Sequence, residues 1–583
     1  MDFTGTTARE SFVGTIDPDE FDMSQGGRDT VSGLEGDDVF IFGGELNAND
    51  QIDGGADHDT LVLEGNYVGG VVFGPATMVN VETILLLPGF SYALTLDAAT
   101  ASPPAIGDPF HVDAGQLGAA DSLVFDGTAE TGVFLEITGG AGDDVLTGSS
   151  ALLATFNLGM GGDDLADASG SGGAFHMGGA LDAGDTLIGG PGYDNAYLEG
   201  DYSAGLTITG AMLVGVESVN LSAQFAAALV LADDLWTASH NHHVNVIDGG
   251  GAPATGISVD ASAETDTAIT FNGADGSETF TGGALGDTFD LDNPFDNGGA
   301  DVIAGGAGDD LIMFGDSFTR DDQADGGDGH DVLRLDFNLA LTVNYRSTTM
   351  VDVEEMDLSP GLYDLTLGNN NIRGEGFLVD AADLASINSL AFDAGAESST
   401  AITILAGASD DTLVTGGGDD SLDGADGADS LTAGAGDDTL DGGAGLDTLA
   451  GGLGTDRMHG GARADTFVYT GFAESTGPGR DWLDVLQPLR DQLDLDVGVA
   501  AVAPRINAGA LSEATFESDL STAVASLPAG QAVVFKPNSG DLAGHFFLVV
   551  DADGLFGYTP GQDYVFEFAA GSNPNAIAVG FFI

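Results

Sequence analysis

Residues 406–468 read AGASDDTLV TGGGDDSLD GADGADSLT AGAGDDTLD GGAGLDTLA GGLGTDRMH GGARADTFV, which is a run of nonapeptides in strict register. The sixth position of each nonapeptide is an aspartate, namely Asp411, Asp420, Asp429, Asp438, Asp447, Asp456 and Asp465. The eighth position is always apolar, namely Leu413, Leu422, Leu431, Leu440, Leu449, Met458 and Phe467. This pattern predicts a stacked repeat, because a disordered Gly/Asp-rich linker has no reason to keep a regular apolar position.

The period of nine sets the local structure. Each nonapeptide has room for a turn of about six residues and a strand of about three, and glycines permit the positive φ values that such a turn needs. Two nonapeptides complete one coil, so aspartates on the same side recur every 18 residues. Coils then stack at the strand spacing of about 4.8 Å, with the apolar eighth residue pointing inward.

Stacked aspartates at this spacing need a cation. The carboxylates repel one another, and the short strands bury too little apolar area to offset the chain entropy. A Ca²⁺ ion between coils takes about 6–8 carboxylate and carbonyl oxygens. We therefore expect an array that is unfolded without Ca²⁺ and folded with it.

The pattern resembles the G-G-x-G-x-D-x-U-x repeat of the RTX family of secreted calcium-binding proteins, and the resemblance implies a calcium-bound parallel β-roll. Near-consensus nonapeptides also precede the array, at residues 33–41, 54–62, 139–147, 189–197, 305–313 and 326–334. Their sixth positions add further candidate calcium ligands, namely Asp38, Asp59, Asp144, Asp194, Asp310 and Asp331.

A longer repeat surrounds these earlier nonapeptides. A V-x-V-E element follows once in each of three units, at Glu82, Glu217 and Glu354. A residue that recurs with the architecture usually serves the architecture. We interpret the three glutamates as turn, calcium or inter-coil hydrogen-bond residues and not as catalytic acids.

The sequence predicts an all-β fold, a parallel β-helix or β-roll solenoid with three internal repeat units, RTX coils and a C-terminal β-rich cap. The predicted domains are residues 1–138, 139–272 and 273–405 for the repeat units, 406–468 for the β-roll, and 469–583 for the cap. Three separate β-sandwich modules joined by short β-rolls are the alternative.

The last region, residues 469–583, differs in kind. Residues 511–527 place Phe516, Leu520 and Val524 at helical spacing, which predicts one amphipathic helix. Residues 545–568 read as a strand, an Asp/Gly turn and a strand. The segments TFVYTG at residues 466–471 and RDWLDVLQPLRDQLDLDVG at residues 480–498 resemble the part that closes the β-roll of serralysin-type secreted proteases. This resemblance implies an uncleaved C-terminal signal for the type I secretion machinery, with an ordinary β-rich capping domain as the alternative.

Composition excludes several partners. The 583 residues carry 94 Asp and Glu against 12 Lys and Arg, a net charge of −82, which disfavours binding to nucleic acid or anionic membranes. The chain has no cysteine, which excludes disulfides and thiol chemistry. No signal peptide and no apolar run of membrane-spanning length is recognisable, so we expect no membrane insertion.

No catalytic motif emerges, and we expect a protein that is not an enzyme. The H-E-x-x-H, G-x-S-x-G and phosphate-loop patterns do not occur. The cluster of His240, His242 and His243 is a weak candidate for binding a transition metal, with an ordinary surface loop as the alternative. A carbohydrate-active enzyme is a further minor alternative, disfavoured because no Lys or Arg lies between Arg28 and Arg320 to hold an anionic sugar.

These observations favour a secreted, extracellular calcium-binding structural protein of the bacterial cell surface, since the chain resembles RTX surface-layer proteins. Neutralising a charge of −82 takes 41 divalent ions, whereas the recognisable repeats provide about 10–20 internal sites. The remaining carboxylates favour Ca²⁺-mediated contacts with further copies of the chain, and cell-surface polysaccharide is another candidate partner. A secreted adhesin or biofilm-matrix protein is the alternative.

Overall fold

The computed structural model describes the chain except at residues 75–76, 98–107, 237–241, 248–253, 275, 293–298, 316–317, 337–339, 369–371, 373–375 and 570–571. The chain divides into two compact units, Met1–Asp290 and Leu291–Ile583. Both are built from short strands that pair with strands one coil away, which is the pattern of a solenoid.

The N-terminal unit is a stack of parallel coils. One long parallel sheet takes one strand from each coil: Asp2–Thr4, Glu20–Asp22, Val39–Gly43, Thr60–Glu64, Thr83–Leu86, Phe110–Asp113, Leu135–Thr138, Ala154–Asn157, Gly173–His176, Asn195–Leu198, Ser218–Ser222, His242–Ile247, Ile269–Asn272 and Thr288–Leu291. The strands that alternate with these along the chain form shorter parallel sheets: first Ser11–Val13, Thr30–Glu35, Gln51–Ala56 and Met78–Val79; then Tyr67–Phe73, Tyr92–Leu96, Leu123–Asp126, Val145–Thr147, Leu165–Asp167, Thr186–Ile188 and Leu213–Val214; then Tyr202–Ile208, Ala227–Leu231, Ala254–Asp260 and Gly276–Thr281.

The C-terminal unit repeats this arrangement. Its long parallel sheet contains Leu311–Phe314, Val332–Leu335, Glu355–Leu358, Phe377–Asp380, Ile402–Leu405, Ser421–Asp423, Thr439–Asp441, Arg457–His459 and Asp481–Asp484. The alternating strands are Val302–Ala307, Gln323–Asp328 and Met350–Val351, followed by Ala340–Asn344, Leu362–Thr366, Leu390–Asp393, Thr412–Val414, Ser430–Ala435, Thr448–Leu453, Thr466–Tyr469 and Gln492–Leu495.

The core of the coils is a column of apolar side chains in register. Alternate strand residues point inward, and where phenylalanines meet on neighbouring strands their rings stack. The rings of Phe21 and Phe40 lie 5.0 Å apart with a 7° interplanar angle, and those of Phe271 and Phe289 lie 4.9 Å apart at 3°. The coils outside the array therefore have an ordinary hydrophobic core.

The array has the predicted coil of two nonapeptides. Ser421 pairs in parallel with Thr439, and Thr439 pairs with Arg457, each 18 residues along. The inward leucines Leu422 and Leu440 pair at the same register and are buried. The parallel solenoid is confirmed, and the alternative of β-sandwich modules is wrong because sandwich sheets pair antiparallel strands whereas these coils pair parallel ones.

The cap closes the C-terminal unit. It contains the strands Ala501–Val502, Gln531–Phe535, Phe546–Val550 and Tyr564–Phe568, the α-helix Phe516–Ala523, and the 3₁₀ turns Phe472–Glu474, Glu513–Thr515, Pro574–Ala576 and Val579–Phe581. Phe546–Val550 pairs antiparallel with Tyr564–Phe568, which confirms the predicted strand–turn–strand. The predicted helix is present but shorter than residues 511–527, since a 3₁₀ turn precedes it. In the part of the chain that the structure describes, no helix is both long and apolar enough to span a bilayer.

Candidate metal centre

The repeat aspartates form two hydrogen-bonded ladders along the array. On one side the backbone N–H of Asp411 donates to Oδ1 of Asp429 at 2.8 Å, and the N–H of Asp429 donates to Oδ1 of Asp447 at 2.9 Å. On the other side the N–H of Asp420 donates to Oδ1 of Asp438 at 2.8 Å. Each aspartate thus uses one oxygen to fix the coil before it.

The second oxygen of these carboxylates, Oδ2, takes no part in the ladder hydrogen bonds. It is buried and has no hydrogen-bond partner at ten of the predicted ligand positions, namely Asp38, Asp59, Asp331, Asp411, Asp420, Asp429, Asp438, Asp447, Asp456 and Asp465. A buried carboxylate oxygen without a partner costs free energy unless a cation meets it. The same unpartnered oxygen, repeated in register, marks a row of candidate cation sites.

Glycine carbonyls supply the opposite wall of each site. A methyl group built on Gly424 would lie 2.7 Å from Oδ2 of Asp429 and 3.0 Å from the carbonyl oxygen of Gly442, one coil further on. A methyl group on Gly442 would meet Oδ2 of Asp447 and the carbonyl oxygen of Gly460, both at 2.9 Å. Only glycine leaves this space open, and the oxygens that surround it are the hard ligands Ca²⁺ prefers.

The raised pKa values of the ladder aspartates also favour a cation at these positions. Burial and, to a smaller extent, the neighbouring carboxylates of each ladder raise the pKa of Asp429, Asp438 and Asp465 to about 7, although the N–H bond to each carboxylate lowers it. Burial also raises the pKa of Asp447 and Asp456 to about 6. In this buried environment the carboxylates favour their neutral form. A bound divalent cation would favour the ionised form instead.

A family model described as the RTX calcium-binding nonapeptide repeat matches the chain at residues 24–45, 46–65, 136–150, 295–317, 403–431 and 432–467. This chain carries RTX calcium-binding repeats. RTX repeats bind Ca²⁺ at multiple sites, and the predicted cofactor is confirmed. No curated protein shows significant similarity to the chain.

The three V-x-V-E glutamates terminate ladders in the RTX coils that precede the array. Oε2 of Glu82 accepts the backbone N–H of Asp59 at 2.8 Å, 23 residues away. Glu217 does the same for Asp194 at 2.9 Å. The pair Glu354 and Asp331 repeats the bond at 2.9 Å. The prediction of an inter-coil hydrogen-bond role is therefore confirmed, and the longer side chain takes the place of an aspartate where a wider coil begins.

Two predicted ligands of the RTX protein have both oxygens occupied. Asp144 accepts the N–H of Leu123 through Oδ1 and the N–H of Gly140 through Oδ2. Asp194 accepts the N–H of Gly173 through Oδ1 and that of Gly190 through Oδ2. These two carboxylates are satisfied by the backbone, so they differ from the array aspartates as candidate ligands. Asp310 donates its own N–H to Oδ1 of Asp331 at 2.8 Å and so belongs to a ladder.

Sequence reasoning missed three ladder aspartates. Oδ2 is buried and without a partner at Asp29, Asp164 and Asp481 as well. Asp164 is the sixth residue of the nonapeptide 159–167, in which Ala166 stands at the apolar position, and burial raises the pKa of Asp164 to about 7. Asp481 accepts the N–H of Asp456 at 3.0 Å across 25 residues, so the spacing of 18 could not reveal it.

The histidine cluster does not converge on one point. His242 and His243 are consecutive in a strand and therefore face opposite sides of the sheet. His242 is buried with its ring stacked 4.8 Å from that of Trp236, whereas His243 lies edge-on to Tyr193. Two ligands on opposite faces cannot hold one ion, and His240 lies outside the described residues.

Proposed function

We propose that the repeat aspartates hold Ca²⁺ through their second carboxylate oxygens, together with glycine carbonyls of the next coil. The observation that carries this proposal is the orphaned Oδ2, repeated in register. A glycine lies directly against this oxygen at Asp38, Asp59, Asp331, Asp429, Asp447, Asp456 and Asp465. The ligand set extends the predicted aspartates by Asp29, Asp164 and Asp481. Asp144 and Asp194 act in the same coils mainly by fixing the backbone.

The proposed mechanism divides each carboxylate between two tasks. Oδ1 accepts an N–H and sets the register of neighbouring coils, while Oδ2 offers a negative charge to the ion. The bound ion supplies the positive charge that lets two stacked carboxylates remain ionised in a buried place. Folding of the array and ion binding are then one event, because the site exists only between stacked coils.

We further propose that the folded protein is a secreted structural component of the bacterial surface that assembles with copies of itself through Ca²⁺. RTX repeat proteins are typically secreted, and residues 469–583 would carry the signal for type I export. The net charge of −82 far exceeds what the internal sites neutralise, which leaves surface carboxylates to share ions between copies. The division into domains at residues 138, 272, 405 and 468 is part of the same proposal.

Electron microscopy of the purified chain tests assembly. In millimolar Ca²⁺ we expect ordered sheets or filaments, and after chelation none. Mg²⁺ at equal ionic strength is the matched control, since it prefers octahedral sites that keep several waters and is a poor bridge between flexible carboxylates. Isolated particles in Ca²⁺ would contradict the assembly proposal and leave the folding proposal intact.

A glycan-binding adhesin is the second candidate, and one observation favours it. A cavity of about 330 Å³ in the N-terminal unit is lined by Tyr197, Glu199, Asn220 and Phe225 among others. Aromatic faces beside carboxylate and amide groups suit a neutral sugar, and the acidic surroundings disfavour an anionic one. Binding of neutral polysaccharide that is lost in a Tyr197→Ala/Phe225→Ala variant would support this candidate.

A further inference from the structure

The cap contains an unusual pair of cations. The guanidinium of Arg505 lies 4.7 Å from the ring centroid of Phe546, and the ammonium of Lys536 lies 4.4 Å from the same centroid. Lys536 is the only lysine in the chain. Two positive groups therefore meet at one aromatic ring, although each repels the other.

Neither cation has an acidic partner. No carboxylate of the described residues lies within ion-pair distance of Arg505 or Lys536, in a chain with 94 acidic residues. Nη1 of Arg505 donates to the amide oxygen of Asn575, and Nε is buried without a hydrogen-bond partner. In so acidic a protein, a guanidinium and an ammonium that have no carboxylate partner are suited to an anion that comes from outside.

A cavity adjoins Arg505, one member of this pair. Its volume is about 530 Å³, and its lining is apolar except at Arg505 and Asn575. The apolar lining comes from Ala501, Val502, Ala503, Val534, Pro574, Ile577, Ala578 and Val579. A cavity of a few hundred Å³ with one fixed charge at its wall has the size and character of a small-molecule site.

We propose that the cap binds an amphipathic carboxylate of the fatty-acid class. The carboxylate lies on the guanidinium of Arg505, which lines the cavity, and Lys536 adds positive potential. The hydrocarbon tail fills the apolar cavity against Val534 and Ile577. The site is separate from the calcium ladders and does not depend on the proposed surface function.

Calorimetric titration of the full chain in Ca²⁺ with octanoate tests the proposal, since octanoate is short enough to stay soluble with the ion. We expect saturable binding of one octanoate, weaker binding of 1-octanol by about tenfold or more, and no binding of octylamine or acetate. Arg505→Met is expected to weaken octanoate about tenfold or more, and Lys536→Met severalfold. Arg490→Gln removes an exposed cation of the same region and is expected to leave the affinity unchanged.

A second variant distinguishes loss of octanoate binding from loss of folding. Ala578→Trp fills the cavity from its exposed rim and is expected to abolish octanoate binding while the cation pair stays in place. Equal affinity for octanoate and octanol, or an unchanged affinity in Arg505→Met, overturns the proposal. So does self-association that is lost in Arg505→Met without any octanoate binding, because the pair then holds a carboxylate of a second copy.

Discussion

The backbone N–H of Asp438 donates to Oδ1 of Asp456 at 3.0 Å, while Oδ2 of Asp456 is buried without a hydrogen-bond partner. One carboxylate therefore has a structural oxygen, which accepts a backbone N–H, and a second oxygen that is a candidate metal ligand. The structural oxygen is satisfied by the fold itself, whereas the other needs a cation. This division explains how one carboxylate can set the register of neighbouring coils and offer a ligand to the ion, and why the stacked array is expected to be unstable without the ion.

Calcium removal should unfold the array before the cap. Hydrogen exchange followed by mass spectrometry at pH 7.5 should show loss of protection in residues 406–468 after chelation and recovery after Ca²⁺ is restored. The cap strands Phe546–Val550 and Tyr564–Phe568 are the internal control, because Phe547, Val549 and Val565 belong to an ordinary apolar core. Equal exchange of the array with and without Ca²⁺ would contradict calcium-dependent folding.

Asp438→Asn should have opposite effects in the two states. The amide keeps an oxygen for the N–H of Asp420 but replaces the charged Oδ2 with a donor. With Ca²⁺ present we expect a loss of about 1.5–3 kcal/mol in the free energy of unfolding. Without Ca²⁺ at pH 6, where part of the metal-free fold remains, we expect a small gain, because the buried carboxyl that resists ionising is replaced by a neutral amide.

Asp426→Asn is the matched control for that substitution. It removes the same charge, but from an exposed side chain. Denaturant unfolding in Ca²⁺ and in metal-free buffer measures both effects. If the two variants behave alike in both buffers, the buried oxygen of Asp438 has no special role.

The metal-free protein should be more stable in acid than at neutral pH. Burial raises the pKa of array aspartates from 3.8 to about 6 or 7, so their neutral forms are favoured in the fold. The stability this provides is complete below about pH 4 and is lost as the pH rises through about 7. Circular dichroism of protein freed of Ca²⁺ by dialysis should show the β-signal falling between about pH 5 and 7.5.

Millimolar Ca²⁺ should remove that fall, because the ion favours the ionised carboxylates. The measurements should stay above the isoelectric point of about 4.1, where precipitation interferes. A metal-free signal that does not change between pH 5 and 8 would show that the ladder carboxylates do not control folding.

Leu34→Gly should stabilise the protein. Leu34 occupies the second position of the nonapeptide 33–41, where glycine is usual, and has a φ of 91°. An L-residue in this left-handed region costs about 1–2 kcal/mol, against which glycine loses about 0.5–1 kcal/mol of chain entropy. The net gain expected in thermal or denaturant unfolding is about 0.5–1 kcal/mol.

Leu453→Gly is the control for Leu34→Gly. Leu453 is 54 % exposed and Leu34 is 43 % exposed, so the two side chains are similarly accessible to solvent. Leu453 lies in the strand Thr448–Leu453 and does not have a positive φ. There the glycine should cost about 0.5–1 kcal/mol. The same direction of change in both variants would show that backbone strain at Leu34 is not the cause.

How much the sequence could predict differs between the array and the rest of the chain. Inside residues 406–468 the period is strict, so coil length, inward leucines and ladder partners follow from counting. Elsewhere the coils differ in length, and the spacing between partners changes to 21 at Asp38 and Asp59 or to 25 at Asp456 and Asp481. Counting residues cannot find partners across coils of unequal length.

The sequence by itself determined that this protein is a β-solenoid with a row of carboxylates that bind Ca²⁺, because a nine-residue period with a constant aspartate, a constant apolar position and glycine-rich turns favours parallel stacking of coils. Only the tertiary structure decided which carboxylates keep an oxygen for the ion. Asp144 and Asp438 occupy the same position of the repeat, yet the backbone takes both oxygens of Asp144 and one of Asp438. The physical reason is that the donors come from neighbouring coils, whose approach is a property of packing and not of the local sequence.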